Sequence, residues 1–166
     1  IIHILNSVNE KTREDLCPII FQIASSNAFF SKEYATLFKE LIELYPLILT
    51  LFKSQFSNYL NVFKEIKYVK PEQDYDMYCK INKINEQRRA LSAFFANLMV
   101  LGVFPEINLL KIVLILQQKI NMFANDNLDN IPIIEEIVEN VCSIMNIIYK
   151  SLNPHNEHCK IIIENM

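Results

Sequence analysis

Apolar residues recur along this chain at steps of three and four, the spacing that puts side chains on one face of an α-helix. Between Phe30 and Tyr45 the series is Phe30, Tyr34, Leu37, Leu41 and Leu44, with Ser31 placed to cap the helix start. From Ile133 a second stripe runs through Ile137, Val141, Ile144 and Ile148, widened by Ile134, Val138 and Met145. The stretch from Ile107 to Ile120 is apolar nearly all round, as expected of a helix covered on both sides. Proline supplies the punctuation, because its fixed φ and missing N–H suit a helix start and damage an interior. Pro46, Pro71, Pro105, Pro132 and Pro154 each stand before a helical pattern. The pattern predicts eight helices over 1–8, 13–25, 31–45, 46–68, 72–101, 105–123, 132–151 and 155–165. Pro18 falls inside the second and either interrupts it or starts a shorter one. Tyr34, Leu37, Leu41, Phe94 and Leu98 lie on inner stripes and are expected in the core.

Composition narrows the fold class to all-α. The chain has a single glycine, Gly102, whereas sheets and phosphate-binding loops need glycine for hairpins, bulges and cradles. Gly102 stands where a left-handed residue would close the helix carrying Leu91, Phe94, Phe95 and Leu98. The 166 residues make one domain, 1–166, with enough apolar content for a sizeable core. Short loops make successive helices antiparallel neighbours. Helices of unequal length, one of them apolar on most sides, fit a stack of helix pairs better than a four-helix bundle.

Net charge is −3, and its distribution is uneven. Lys64 to Arg89 holds seven basic residues against five acidic, and Phe123 to Met166 holds two against seven. Arg88 and Arg89, with Lys80, Lys83 and Tyr78, form a candidate RNA-contacting strip, since phosphate binding needs placed positive charge. A charged face that merely solvates a helix is the plainer reading. Cys17, Cys79, Cys142 and Cys159 are far apart in the sequence, which fits free thiols in a reducing compartment. His155, His158 and Cys159 could present two ligands on one helical turn, with Cys142 alone to complete a metal site. That set is too small to assign a metal. No Gly-rich loop and no nucleophile–base set accompanies His3, so no catalytic residue or cofactor is assigned. Apolar runs are broken before the ~18 residues of a membrane span, so a cytoplasmic, membrane-free protein is expected. Heavy use of Ile, Asn and Lys points to an AT-rich genome, as in some protists and large DNA viruses.

Three segments carry a family resemblance. Phe21, Ala24, Phe30, Ser31, Tyr34, Ala35, Leu37, Lys39 and Leu41 match without a gap the segment joining the second repeat's helices in the middle domain of eukaryotic translation initiation factor 4 gamma. Arg88-Arg89, then Phe94, Leu98, Leu101 and Val103-Phe104-x-Glu106, resemble that family's Arg-rich helix and the turn after it. Upstream, Ile4-Leu5-Asn6-Ser7-Val8 is similar to its Ile-Leu-Asn-Lys-Leu. The chain departs from the family in a shorter spacer after Val8 and in Arg13 where an aromatic residue is expected. Beyond Phe123 it matches by pattern only.

The resemblance implies a HEAT-type α-solenoid of about eight antiparallel helices forming a crescent, and a translation-initiation scaffold without catalysis. It implies a DEAD-box RNA helicase as partner, weak mRNA contact, and a cap-binding protein held through segments outside this chain. Leu5 and Val8 would grip one lobe of the helicase, and Arg13 would meet an acidic patch on it. Otherwise Leu5 and Val8 are core residues of a terminal helix. Relatives of the same fold in splicing or mRNA decay remain alternatives, as does a purely structural helical module that self-associates.

Overall fold

The computed structural model describes residues 2–46, 48–50, 56, 59, 61–126, 130–153 and 155–164. Every regular element among them is a helix: α1 (Ile2–Ser7), α2 (Glu10–Ala24), α3 (Ser31–Leu44), α4 (Tyr75–Val100), α5 (Glu106–Asp126), α6 (Ile131–Ile148) and α7 (Glu157–Glu164). Helical residues also occur at 48–50, 56, 59 and 61. Much of the helix expected over 46–68 lies outside the described residues, and residues 65–70 are not helical.

Helix ends follow local chemistry. Asn9 caps α2 by accepting from Thr12 N at 2.9 Å, and Asp74 caps α4 by accepting from Met77 N at 2.9 Å. The second cap moves the start of α4 to Tyr75, and Pro71 stands in the preceding turn rather than at the helix start. Pro132 opens α6 as expected, and Pro154 lies outside the described residues. Ser31 does not cap α3. Phe30 takes that position, and the Ser31 hydroxyl accepts from Asn97 Nδ2 at 3.1 Å, tying α3 to α4. Pro18 interrupts nothing, and α2 runs through it as one helix. At the end of α4, Gly102 N donates to Met99 O and Val103 N to Leu98 O, both at 2.9 Å. This paired closure needs φ of +75 at Gly102, which a residue without Cβ adopts freely.

The fold centres on α4, which packs along α3 on one side and α6 on the other, with a lighter contact to α5. In turn, α5 packs on α6 and α7. Adjacent phenylalanines on α4 serve two different contacts. Phe94 meets Phe21 of α2 edge-to-face at 5.7 Å and Phe38 of α3 at 5.3 Å. Phe95 stacks on Tyr59 at 4.6 Å and meets Phe104 at 5.2 Å. Leu41, Phe94 and Leu98 are buried as the stripes predict, whereas Tyr34 and Leu37 are half-buried at the margin.

The helix α5 is long enough and apolar enough, over Glu106–Asn125, to pass as a membrane span by length and composition, although Lys111, Gln117 and Lys119 interrupt its apolar runs. Its Leu109, Leu110, Ile112, Val113 and Leu116 are buried in the core. Two polar contacts fix α5 to the C-terminal segment. Gln117 Nε2 donates to Ile162 O at 3.1 Å, and Asn156 Nδ2 to Glu106 Oε1 at 2.7 Å.

Because Phe94 is fully buried between α2 and α3, truncation to Ala should cost about 3–5 kcal/mol. Chemical denaturation measures this. A loss under about 1 kcal/mol would place the ring at a surface.

Candidate functional site

The N-terminal residues assigned to a partner are largely engaged within the chain. Leu5 is 1% exposed and belongs to the core, so its side chain cannot enter a pocket on another protein without unfolding α1. Arg13 does not face outward with a free charge. Its Nε donates to Leu5 O at 2.7 Å and its Nη2 to Val8 O at 2.9 Å, while the guanidinium lies 4.9 Å over the Tyr45 ring. Arg13 therefore satisfies the carbonyls left at the end of α1 and joins α1 to α2. Of the three residues, Val8 and Arg13 are half-buried and keep part of their side chains at the surface.

The arginine strip is also redirected inward. Arg88 is 3% exposed. Its Nε donates to Val62 O at 2.9 Å, and its Nη1 to Asn85 Oδ1 at 2.6 Å and Glu136 Oε1 at 3.3 Å. Arg89, one-third exposed, pairs with Glu136 Oε2 at 3.3 Å and with Glu139. The network continues between the helices. Asn140 Nδ2 donates to Glu136 Oε1 at 2.9 Å, Ser92 Oγ to Asn140 Oδ1 at 2.9 Å, and the Tyr59 hydroxyl to Ser92 Oγ at 2.9 Å. Burial lowers the Arg88 pKa from its ordinary value and Glu136 opposes that shift, so the guanidinium stays charged. Full burial raises the Tyr59 pKa well above that of a free phenol, keeping it a neutral donor.

A phosphate cannot reach Arg88 in this arrangement, and Arg89 is neutralised by two carboxylates. Without them Lys64 to Gln87 carries five basic residues and five acidic, so the remaining face has no net positive charge. Lys80 and Lys83 are exposed as expected, beside exposed Tyr75 and half-buried Tyr78. The positive excess that motivated an RNA strip came from the two arginines that α6 sequesters. Among the described residues no group of three or more His, Cys, Asp or Glu side chains is placed to hold a metal. Cys159 is buried while Cys142 is exposed, which separates the thiols considered for such a site.

Sequence reasoning missed an open groove of about 420 Å³ between the C-terminal end of α2 and α4. Ile23, Ser26, Val62, Ile84 and Leu91 line it, with Arg88 at one wall. Ile23 and Ile84 are 53% and 52% exposed. Ile84 stands at three- and four-residue steps from buried Ile81 and Arg88, in phase with the inner face of its helix, so periodicity gave no sign of its exposure. The α2–α3 turn carries Phe29, 85% exposed.

No family model, curated protein or solved structure matches this chain.

The buried ion pair yields a stability prediction. Glu136→Leu alone leaves the buried Arg88 guanidinium without its carboxylate and should cost about 3–5 kcal/mol. Adding Arg88→Met should recover most of that loss, because an apolar pair of similar volume replaces both charges while Arg89 keeps Glu139. A double-mutant cycle by denaturant titration reads this directly. Equal losses in the single and double variants would show that the charges do not act as a pair.

Proposed function

We propose that this chain is a non-catalytic helical-repeat scaffold whose partner is a protein, with a DEAD-box RNA helicase of translation initiation as the first candidate. The observation that carries the scaffold reading is the alternation of helix contacts. In chain order α4 and α6 are two helices apart, as are α5 and α7, and each of these pairs packs side by side, as does the consecutive pair α5 and α6. Helices that stack with their second neighbours form two layers, the arrangement of HEAT-type solenoids.

The resemblance to the middle domain of initiation factor 4 gamma supplies the helicase. Ala24, Ser31, Ala35 and Leu41, four of its positions, are buried, and Phe21 joins the aromatic cluster around Phe94. These are the places where a helix pair closes on its neighbour, so the resemblance speaks first for the repeat and through it for the partner. RNA contact is not favoured, because the exposed lysines stand on a face of balanced charge. A cytoplasmic setting fits α5 as a core helix whose apolar face is taken up by α6 and α7.

The test is a calorimetric titration of the chain against an initiation-type DEAD-box helicase, with and without a non-hydrolysable ATP analogue. Binding with Kd of about 10 µM or tighter, strengthened by the nucleotide, supports the reading. No heat with either form overturns the helicase assignment. Leu5→Ala should lower the melting temperature, and Val8→Asp is the N-terminal variant able to weaken binding while the fold stays intact.

A further inference from the structure

We propose that α7 is a strap that opens on its own, uncovering one face of α5 while the rest of the fold stays closed. Among the described helices α7 packs chiefly on α5, whereas α6 packs on both α4 and α5. It is only 8 residues long, and so short a helix does not hold its shape in water without a surface to pack on. Of its described side chains Cys159 and Ile162 are buried, while Glu157, Lys160, Ile161 and Glu164 are exposed. By contrast α6 buries Glu136, Ile137, Asn140, Val141, Ile144 and Ile148 and shares the ion network with α4. A helix that buries so little opens at a lower free energy than one that buries so much.

Two side chains mark where the strap lies. Asn156 starts it: its Oδ1 accepts from His158 N at 3.0 Å, and its Nδ2 donates to Glu106 Oε1 at 2.7 Å, at the start of α5. Near the other end, Gln117 Nε2 donates to Ile162 O at 3.1 Å, a carbonyl of the last turn that has no acceptor role within the helix. The earlier residue meets the earlier and the later meets the later, so α5 and α7 run in the same direction. Glu106, Leu110, Val113 and Gln117 follow one another at steps of four, three and four, on one face of α5. Leu110 and Val113, both fully buried, therefore lie beneath α7 between its two polar ties.

The closed strap is imperfect at Gln117. The bond to Ile162 O fixes which end of the amide faces α7, and the amide's Oε1 is left buried with no donor among the described residues. A buried acceptor without a donor costs free energy, and that cost is relieved when the strap lifts and water reaches the amide. Opening breaks the ties of Asn156 and Gln117 and uncovers Cys159 and Ile162 on the strap and Leu110 and Val113 beneath it. The contacts of α4 with α3 and with α6 are kept throughout.

Cys159 reports the opening, because its thiol is 3% exposed with the strap closed and meets reagent only when the strap lifts. The chain is incubated with iodoacetamide under native conditions, and mass spectrometry of a digest quantifies the label on each cysteine. Exposed Cys79 and Cys142 give the reference rate of an accessible thiol. Cys159 should be labelled more slowly than these, by roughly 100-fold, with little response to urea below the unfolding transition, since a local opening exposes little surface. Asn156→Ala removes the helix cap and the tie to Glu106 and should speed Cys159 labelling about tenfold. Leu41→Ala weakens the core on α3, which packs on α2 and α4, and should leave Cys159 labelling within about twofold. Labelling that instead rises with Leu41→Ala in step with the loss of global stability overturns the proposal, because the thiol is then reached only by unfolding the whole chain. Labelling as fast as that of Cys142 also overturns it, since α7 is then not docked. An unchanged rate in Asn156→Ala does the same, because the tie then holds nothing closed.

Discussion

A guanidinium placed in a dry helix contact must find its counter-charge there or the contact opens, and Arg88 puts α4 in that position. Glu136 of α6, with Asn85 and the Val62 carbonyl, meets the requirement. Directional bonds fix what apolar packing leaves free. A stripe of Ile and Leu tolerates a small slide along a neighbouring helix, whereas a carboxylate at 3.3 Å from two arginines does not. We therefore read the register of α4 against α6 as set by charge. Such a network adds less net stability than its bond count implies, since each group was hydrated before folding. Its contribution is in excluding misaligned packings.

The second constraint is aromatic. Phe94 and Phe95 are consecutive, so they point about 100° apart on α4 and demand two separate pockets. The α2–α3 pair closes over Phe94, and Tyr59 and Phe104 close over Phe95. A helix asked to satisfy an aromatic cluster on either side and an ion pair on a third has no side left for solvent along its middle. This is why Ala90 and Ala93 are buried as well, and why the exposed residues of α4 gather toward its N-terminal half.

The helices were legible in the sequence because periodicity and proline are local signals. One glycine in 166 residues decided the class, and the stripe from Ile137 to Ile148 was read as it stands. Helix starts slipped where a side chain outbid a proline, as Asp74 did at α4. The sites were read less well, because charge and exposure are tertiary facts. Arg88 looks in sequence like any surface arginine beside Arg89, and nothing local announces that Glu136, 48 positions later, will cover it. Leu5 posed the opposite problem, since an apolar residue near the chain's start fits a contact surface and a core equally well. Only the packing of α1, held by Arg13, decides for the core.

Sequestering the arginines shapes what the surface can do. With Arg88 and Arg89 spent on α6, the other charged residues of α4 balance, and the C-terminal third is rich in acid. Exposed apolar side chains occur along the chain, and two of them, Ile23 of α2 and Ile84 of α4, line one groove. Beside these two isoleucines the groove carries Gln22, Gln87 and Arg88, so its lining is mixed rather than apolar. The turn leaving α2 holds Phe29, also exposed. Exposed apolar groups on a hydrogen-bonded frame raise the free energy of the isolated chain, and covering them returns that energy to an interface.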